Sequence, residues 1–104
     1  PDNFYFRQVR DLLRSIAEVK QQAVLITTPL HNSLLDKWLY RGSFEKAVQV
    51  VAKDSACIWL NYIDVVFPDD QWYDANHLNV HGSEAFSQRV REDLRLNGLL
   101  PNVE

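Results

Sequence analysis

The sequence predicts an α/β fold in which parallel strands are covered by helices. Two short apolar runs carry that expectation, Ala23-Val24-Leu25-Ile26-Thr27-Thr28 and Ala56-Cys57-Ile58-Trp59-Leu60-Asn61-Tyr62. Continuous apolar runs of this length suit strands buried on both faces between helix layers. Helical periodicity precedes the first run, separates the two and follows the second. A strand–helix–strand connection is right-handed almost without exception, so the two strands run parallel and their carboxyl ends share one rim.

The elements follow in order. Residues 3–22 read as an amphipathic helix: Val9, Leu12, Leu13, Ile16 and Val19 form one stripe, with Arg7, Arg10, Arg14, Glu18 and Lys20 opposite. Asp2 or Asn3 is placed to cap its start. Pro29 ends the first strand. The residues after it, Leu30-His31-Asn32-Ser33, occupy the position beyond a strand's carboxyl end where open α/β sheets bind ligands. His31 and Asn32 are therefore candidate substrate-binding residues, with the Asn32 amide suited to a substrate or oxyanion. The competing role for Asn32 or Ser33 is to cap the next turn. Residues 33–40 read as a short helix with Leu34, Leu35, Trp38 and Leu39 inward. Gly42 breaks the chain, and Ser43 caps a helix to about residue 54 with Phe44, Ala47, Val48 and Val51 on one face. After the second strand, Pro68-Asp69-Asp70 signals a turn in the loop 65–73. Asn79 is an N-cap with Gly82 in the first turn. Phe86, Val90 and Leu94 face inward, Gly98 fits a C-cap and Pro101 a stop.

With 104 residues, 46% of them hydrophobic, the chain is bounded to one small domain or part of one. A net charge of −3 and no basic run argue against nucleic-acid binding by phosphate neutralisation. A single cysteine, Cys57, excludes an internal disulfide and a cysteine zinc site, and its apolar surroundings suit burial. No apolar stretch approaches the ~20 residues of a membrane span.

Titratable and hydrogen-bonding side chains concentrate in Trp72-Tyr73-Asp74-Ala75-Asn76-His77-Leu78-Asn79-Val80-His81-Gly82-Ser83. Asp74 precedes His77 by a spacing that, in a turn, lets a carboxylate reach the Nδ1–H of the imidazole. The carboxylate then fixes the tautomer and leaves Nε2 free as a base. The competing reading makes Asp74 a turn former and His77 a helix-entry residue. A third reading takes Asp74, His77 and His81 as metal ligands, D-x-x-H-x-x-x-H. An Asn79 cap places His77 before the helix and His81 inside it, so the reading preferred here calls for no metal or cofactor.

Asp74-x-x-His77-Leu78-Asn79-x-x-Gly82, followed by a helix carrying Ala85-Phe86-Ser87, resembles the last conserved block of the SGNH (GDSL-type) hydrolase superfamily. It is closest to the extracytoplasmic acyl-transfer branch, with its D-alanyl transfer and alginate O-acetylation proteins. The resemblance covers residues 56–99 well and the earlier half only by order of elements. It implies a three-layer flavodoxin-like fold, of which residues 1–104 are the C-terminal part. It implies His77 as general base and Asp74 as its orienter, acting on an acyl or O-acetyl ester substrate on a carbohydrate or envelope polymer; His31, Asn32 and Asn79 are the accompanying substrate-binding candidates. The family's nucleophilic serine, in a Gly-Asp-Ser turn, and its Gly-x-Asn-Asp block are absent from this sequence. The expectation is a chain inactive by itself that pairs with a missing N-terminal half or self-associates, in an extracytoplasmic compartment. The alternative is a non-catalytic α/β module that binds glycan or protein.

Overall fold

The computed structural model describes residues 4–100, so the caps expected at Asp2 or Asn3 and the stop at Pro101 lie outside the described residues. The order is α1 (Phe4–Glu18), β1 (Val24–Thr27), α2 (Asn32–Leu35), α3 (Arg41–Asp54), β2 (Ile58–Asn61) and α4 (Val80–Leu96), with a 3₁₀ turn at Asp69–Gln71. β1 and β2 form a two-stranded parallel sheet, with Val24 opposite Ile58 and Thr27 opposite Asn61. The fold is α/β, and the two strand ends share a rim.

Helices α1, α3 and α4 end alike. Gln21 N–H reaches back to Ile16 O, Cys57 N–H to Ala52 O and Leu99 N–H to Leu94 O. Each terminus turns on a residue with positive φ: Lys20 at 60°, Ala56 at 52° and Gly98 at 72°. This left-handed cap satisfies carbonyls that a helix end leaves open. Only the third has the glycine that advertises it. That is why the stop of α1 at Glu18, rather than near residue 22, was invisible in the sequence.

α1 packs on α3, with Phe6 and Phe44 rings 6.0 Å apart and Leu13, Val48, Val51 and Ala52 buried. A second cluster sits behind β2. Buried Tyr62 meets Phe86 of α4 edge-on at 5.1 Å, Phe86 meets Phe67, and Phe67 meets Trp72. Edge-to-face rings at such separations contribute about 0.5–1.5 kcal/mol beyond burial. The inward stripe of α4 therefore rests on the aromatic segment that follows β2.

Other expectations are corrected in detail. α2 stops at Leu35, α3 starts at Arg41, and its N-cap is Tyr40 rather than Ser43. Leu39 does not face inward and is 87% exposed, because it falls in the turn between the two helices. Cys57 is half-buried, with its thiol pushed up by that burial. The strands are half-buried, not covered on both faces. The described chain is a plate of 44 × 42 × 17 Å with a radius of gyration of 15.3 Å, against about 13 Å for a compact 100-residue domain.

Polar side chains lock the strand ends. Thr27 Oγ1 donates to Asn61 Oδ1 at 2.8 Å and accepts from Trp59 Nε1 at 3.2 Å. Asn61 Oδ1 also accepts from Ile63 N–H, while Nδ2 donates to Glu45 of α3. Glu45 and Asp64 both pair with Arg41, which lowers the Asp64 pKa through that hydrogen bond.

Tyr62 donates its hydroxyl to Asp93 of α4 at 2.7 Å, and burial followed by that bond pushes its pKa from 10.0 up to about 12. The folded state thus holds a proton that the unfolded state releases above pH 10. This contribution is complete below that pH and is lost as pH rises toward about 12. Tyr62→Phe is expected to lower stability at neutral pH by about 0.5–1.5 kcal/mol. It should also flatten the alkaline fall, both read by urea unfolding across pH.

Candidate functional site

The loop between the 3₁₀ turn and α4 is built by one cap and one close approach. Asn79 Oδ1 accepts from Gly82 N–H at 3.0 Å, as an N-cap does, and Asn79 Nδ2 donates to Asp70 O at 2.6 Å. Gly82 is buried, and a Cβ there would lie 2.3 Å from Gln71 O and 3.0 Å from Leu78. Only glycine lets the first turn of α4 seat against the 3₁₀ turn. Asn79, expected beside substrate, has both ends of its amide engaged in holding this junction.

Between Trp72 and Leu78, paired as an antiparallel bridge, the chain makes a tight excursion closed by Tyr73 N–H to His77 O at 2.8 Å. Asp74 sits at its start. Its Oδ1 accepts from Asn76 N–H, from His77 N–H and from the His77 ring, Nδ1 to Oδ1, each at 2.8 Å. The Asn76 amide, then the His77 ring, hold the Asp74 carboxyl below its ordinary 3.8. A carboxylate against Nδ1 keeps the hydrogen there and turns the lone pair outward on Nε2. That nitrogen has no partner among the described residues, and the His77 side chain is 69% exposed. Exposed apolar side chains, Tyr73 and Val80, flank it in sequence. The pair is chemically able to accept a proton from a hydroxyl or water brought to Nε2.

The rim brings the earlier candidates to the same neighbourhood. His31 N–H donates to Ala75 O at 3.2 Å, tying the segment after β1 to the Asp74–His77 loop. The His31 ring stands edge-on to Trp72 at 5.4 Å. Its Nδ1 lies 2.9 Å from Ser33 Oγ and accepts from Ser33 N–H at 3.2 Å. Its Nε2 lies 2.9 Å from Asp69 Oδ1. His31, not Asn32 or Ser33, is the N-cap of α2. Asn32 is exposed. His31, Asn32, Phe67, Asp69 and Trp72 line a cleft of about 270 Å³.

No serine hydrogen-bonds His77 among the described residues. No group of three His, Cys, Asp or Glu side chains there is placed to hold a metal. No helix is long and apolar enough to cross a membrane. Compared with models of known families, with curated proteins and with solved structures, the chain matches none.

The bonds from Asp69 and Ser33 to His31 have no signature in the sequence. Asp69 is 38 positions from His31 and looked like any acidic turn residue. No local spacing betrays such a pair.

Two outcomes follow from the junction. Gly82→Ala is expected to destabilise the fold by about 1–3 kcal/mol, seen as a lower Tm in a thermal melt. Acidification through the depressed Asp74 pKa, below the ordinary 3.8, should protonate its carboxyl and weaken the acceptor for the Asn76 and His77 amides. The stabilisation Asp74 lends is complete above its ordinary pKa and is lost as pH falls through the depressed folded value. Amide exchange measured by NMR should accelerate at those two residues before it does at the Asn79 cap.

Proposed function

We propose that this chain supplies the base half of a serine-dependent esterase or O-acyltransferase of the SGNH type. The observation that carries the reading is the Asp74–His77 contact at 2.8 Å, with Nε2 exposed at the rim beyond two parallel strands. In this proposal a serine held by another part of the protein, or by another chain, approaches Nε2. The hydroxyl proton passes to Nε2 as Oγ attacks the ester carbonyl. His77 then returns the proton to the departing alkoxide, and the acyl group passes from serine to water or to an acceptor hydroxyl. Asp74 keeps Nδ1 protonated and the ring aimed throughout. Its bonds from two backbone amides hold it ionised and fix its own position.

The proposal extends to the fold. A three-layer flavodoxin-like domain needs further strands and a second helix layer. The thin plate and the half-buried strands leave room for both. The substrate class in this reading is an acyl or O-acetyl ester on a carbohydrate or envelope polymer, met outside the cytoplasm. The expected association with a second half belongs to the same proposal.

In the protein carrying its nucleophilic serine, His77→Ala is expected to lower ester hydrolysis or acyl transfer about 10²–10⁴-fold. Undiminished turnover would remove His77 from the mechanism. Glycan binding without turnover, unaffected by His77→Ala, would replace the enzyme with a binding module.

A further inference from the structure

We propose that Ser33, His31 and Asp69 form a second proton-relay triad, with Ser33 as a nucleophile toward small esters. The proposal does not rest on the role given to His77.

The tautomer is fixed from two sides. Ser33 N–H donates to His31 Nδ1 at 3.2 Å, so Nδ1 carries the lone pair. The ring hydrogen of neutral His31 is then on Nε2, where Asp69 Oδ1 accepts it at 2.9 Å. Ser33 Oγ stands 2.9 Å from the Nδ1 lone pair, the direction in which its hydroxyl donates. Carboxylate, imidazole and hydroxyl are thus joined in the order required to activate a nucleophile. The roles of the two ring nitrogens are exchanged relative to the Asp74–His77 pair. Trp72 against the ring and the His31 N–H bond to Ala75 hold the base in place. Ser33 itself is exposed, while His31 is half-buried.

A cleft of about 270 Å³ opens beside His31, two positions before Ser33 in the turn, and its wall mixes polar Asn32 and Asp69 with apolar Leu30, Val65, Phe67 and Trp72, a size and character suited to a small polar ester. Asn32 lines the same cleft, and its side-chain amide has no partner among the described residues. Among side chains it is the amide donor nearest in sequence to Ser33.

The step balances without a cofactor. Ser33 Oγ bonds to the ester carbonyl carbon as its proton moves to His31 Nδ1, and Asp69 faces the imidazolium formed. The carbon–oxygen bond to the alcohol breaks, and the alkoxide takes the proton from Nδ1. Water then repeats the sequence on the acyl-serine, releasing the acid and restoring the hydroxyl.

The test is covalent labelling of the chain with a fluorophosphonate, located by peptide mass spectrometry, with release of nitrophenol from 4-nitrophenyl acetate followed in parallel. The expected adduct is on Ser33, and Ser33→Ala abolishes both signals. His31→Asn retains a side chain that caps helices well while removing the base. Asp69→Asn keeps the size of a side chain that is 94% exposed and removes its charge, and its thermal melt checks that the fold is retained. Both variants are expected to label at least about tenfold more slowly, within the range lost when a general base is removed. An unlabelled Ser33, an adduct confined to another residue, or equal labelling rates in Asp69→Asn and the unmodified chain would each overturn the proposal. Each would leave the Asp74–His77 reading standing, since that reading is decided by His77→Ala.

Discussion

One asparagine determines where three pieces of this structure meet. Asn79 accepts from Gly82 through Oδ1, donates to Asp70 through Nδ2, and bonds Gln71 through its own N–H. Its carbonyl begins the helix by accepting from Ser83. These bonds fix the start of α4 against the 3₁₀ turn, and buried Gly82 lets the surfaces close. The Asp74–His77 excursion is the chain left between two fixed points, Trp72 and Leu78. Its geometry therefore follows from a junction made by residues that take no part in proton transfer.

Much of this was legible in the sequence, for reasons that can be named. The strands were readable because continuous apolar runs have few other destinations, and their parallel sense followed from handedness. The Asp74–His77 contact was readable because only two residues lie between them, which limits where the two side chains can go. The Asn79 cap and Gly98 were readable because their chemistry is local. What could not be read was long-range or lacked its usual marker. Lys20 and Ala56 adopt left-handed conformations without being glycine, so two helix ends carried no signal. The Thr27–Asn61–Glu45 chain joins three elements, and nothing in any one of them announces the others. Burial of the strands was overestimated because an apolar run reports the preference of the residues, not the number of layers present to satisfy it.

The two histidines on the rim present opposite cases. His77 has one ring nitrogen held by a carboxylate and the other open to solvent. His31 has both nitrogens engaged and lies against an indole. Composition makes them equivalent, and only surroundings separate them. The backbone bond from His31 to Ala75 joins the two settings, so a displacement of either segment is felt at the other.

The 17 Å thickness of the plate has a thermodynamic consequence. Many of its large apolar side chains, Leu12, Val19, Val50, Val66 and Val80 among them, already meet solvent in the folded state. Melting such a plate transfers comparatively little new hydrocarbon into water. Its heat-capacity increment therefore falls below the roughly 12–15 cal/mol/K per residue of ordinary domains, which flattens the temperature dependence of its stability.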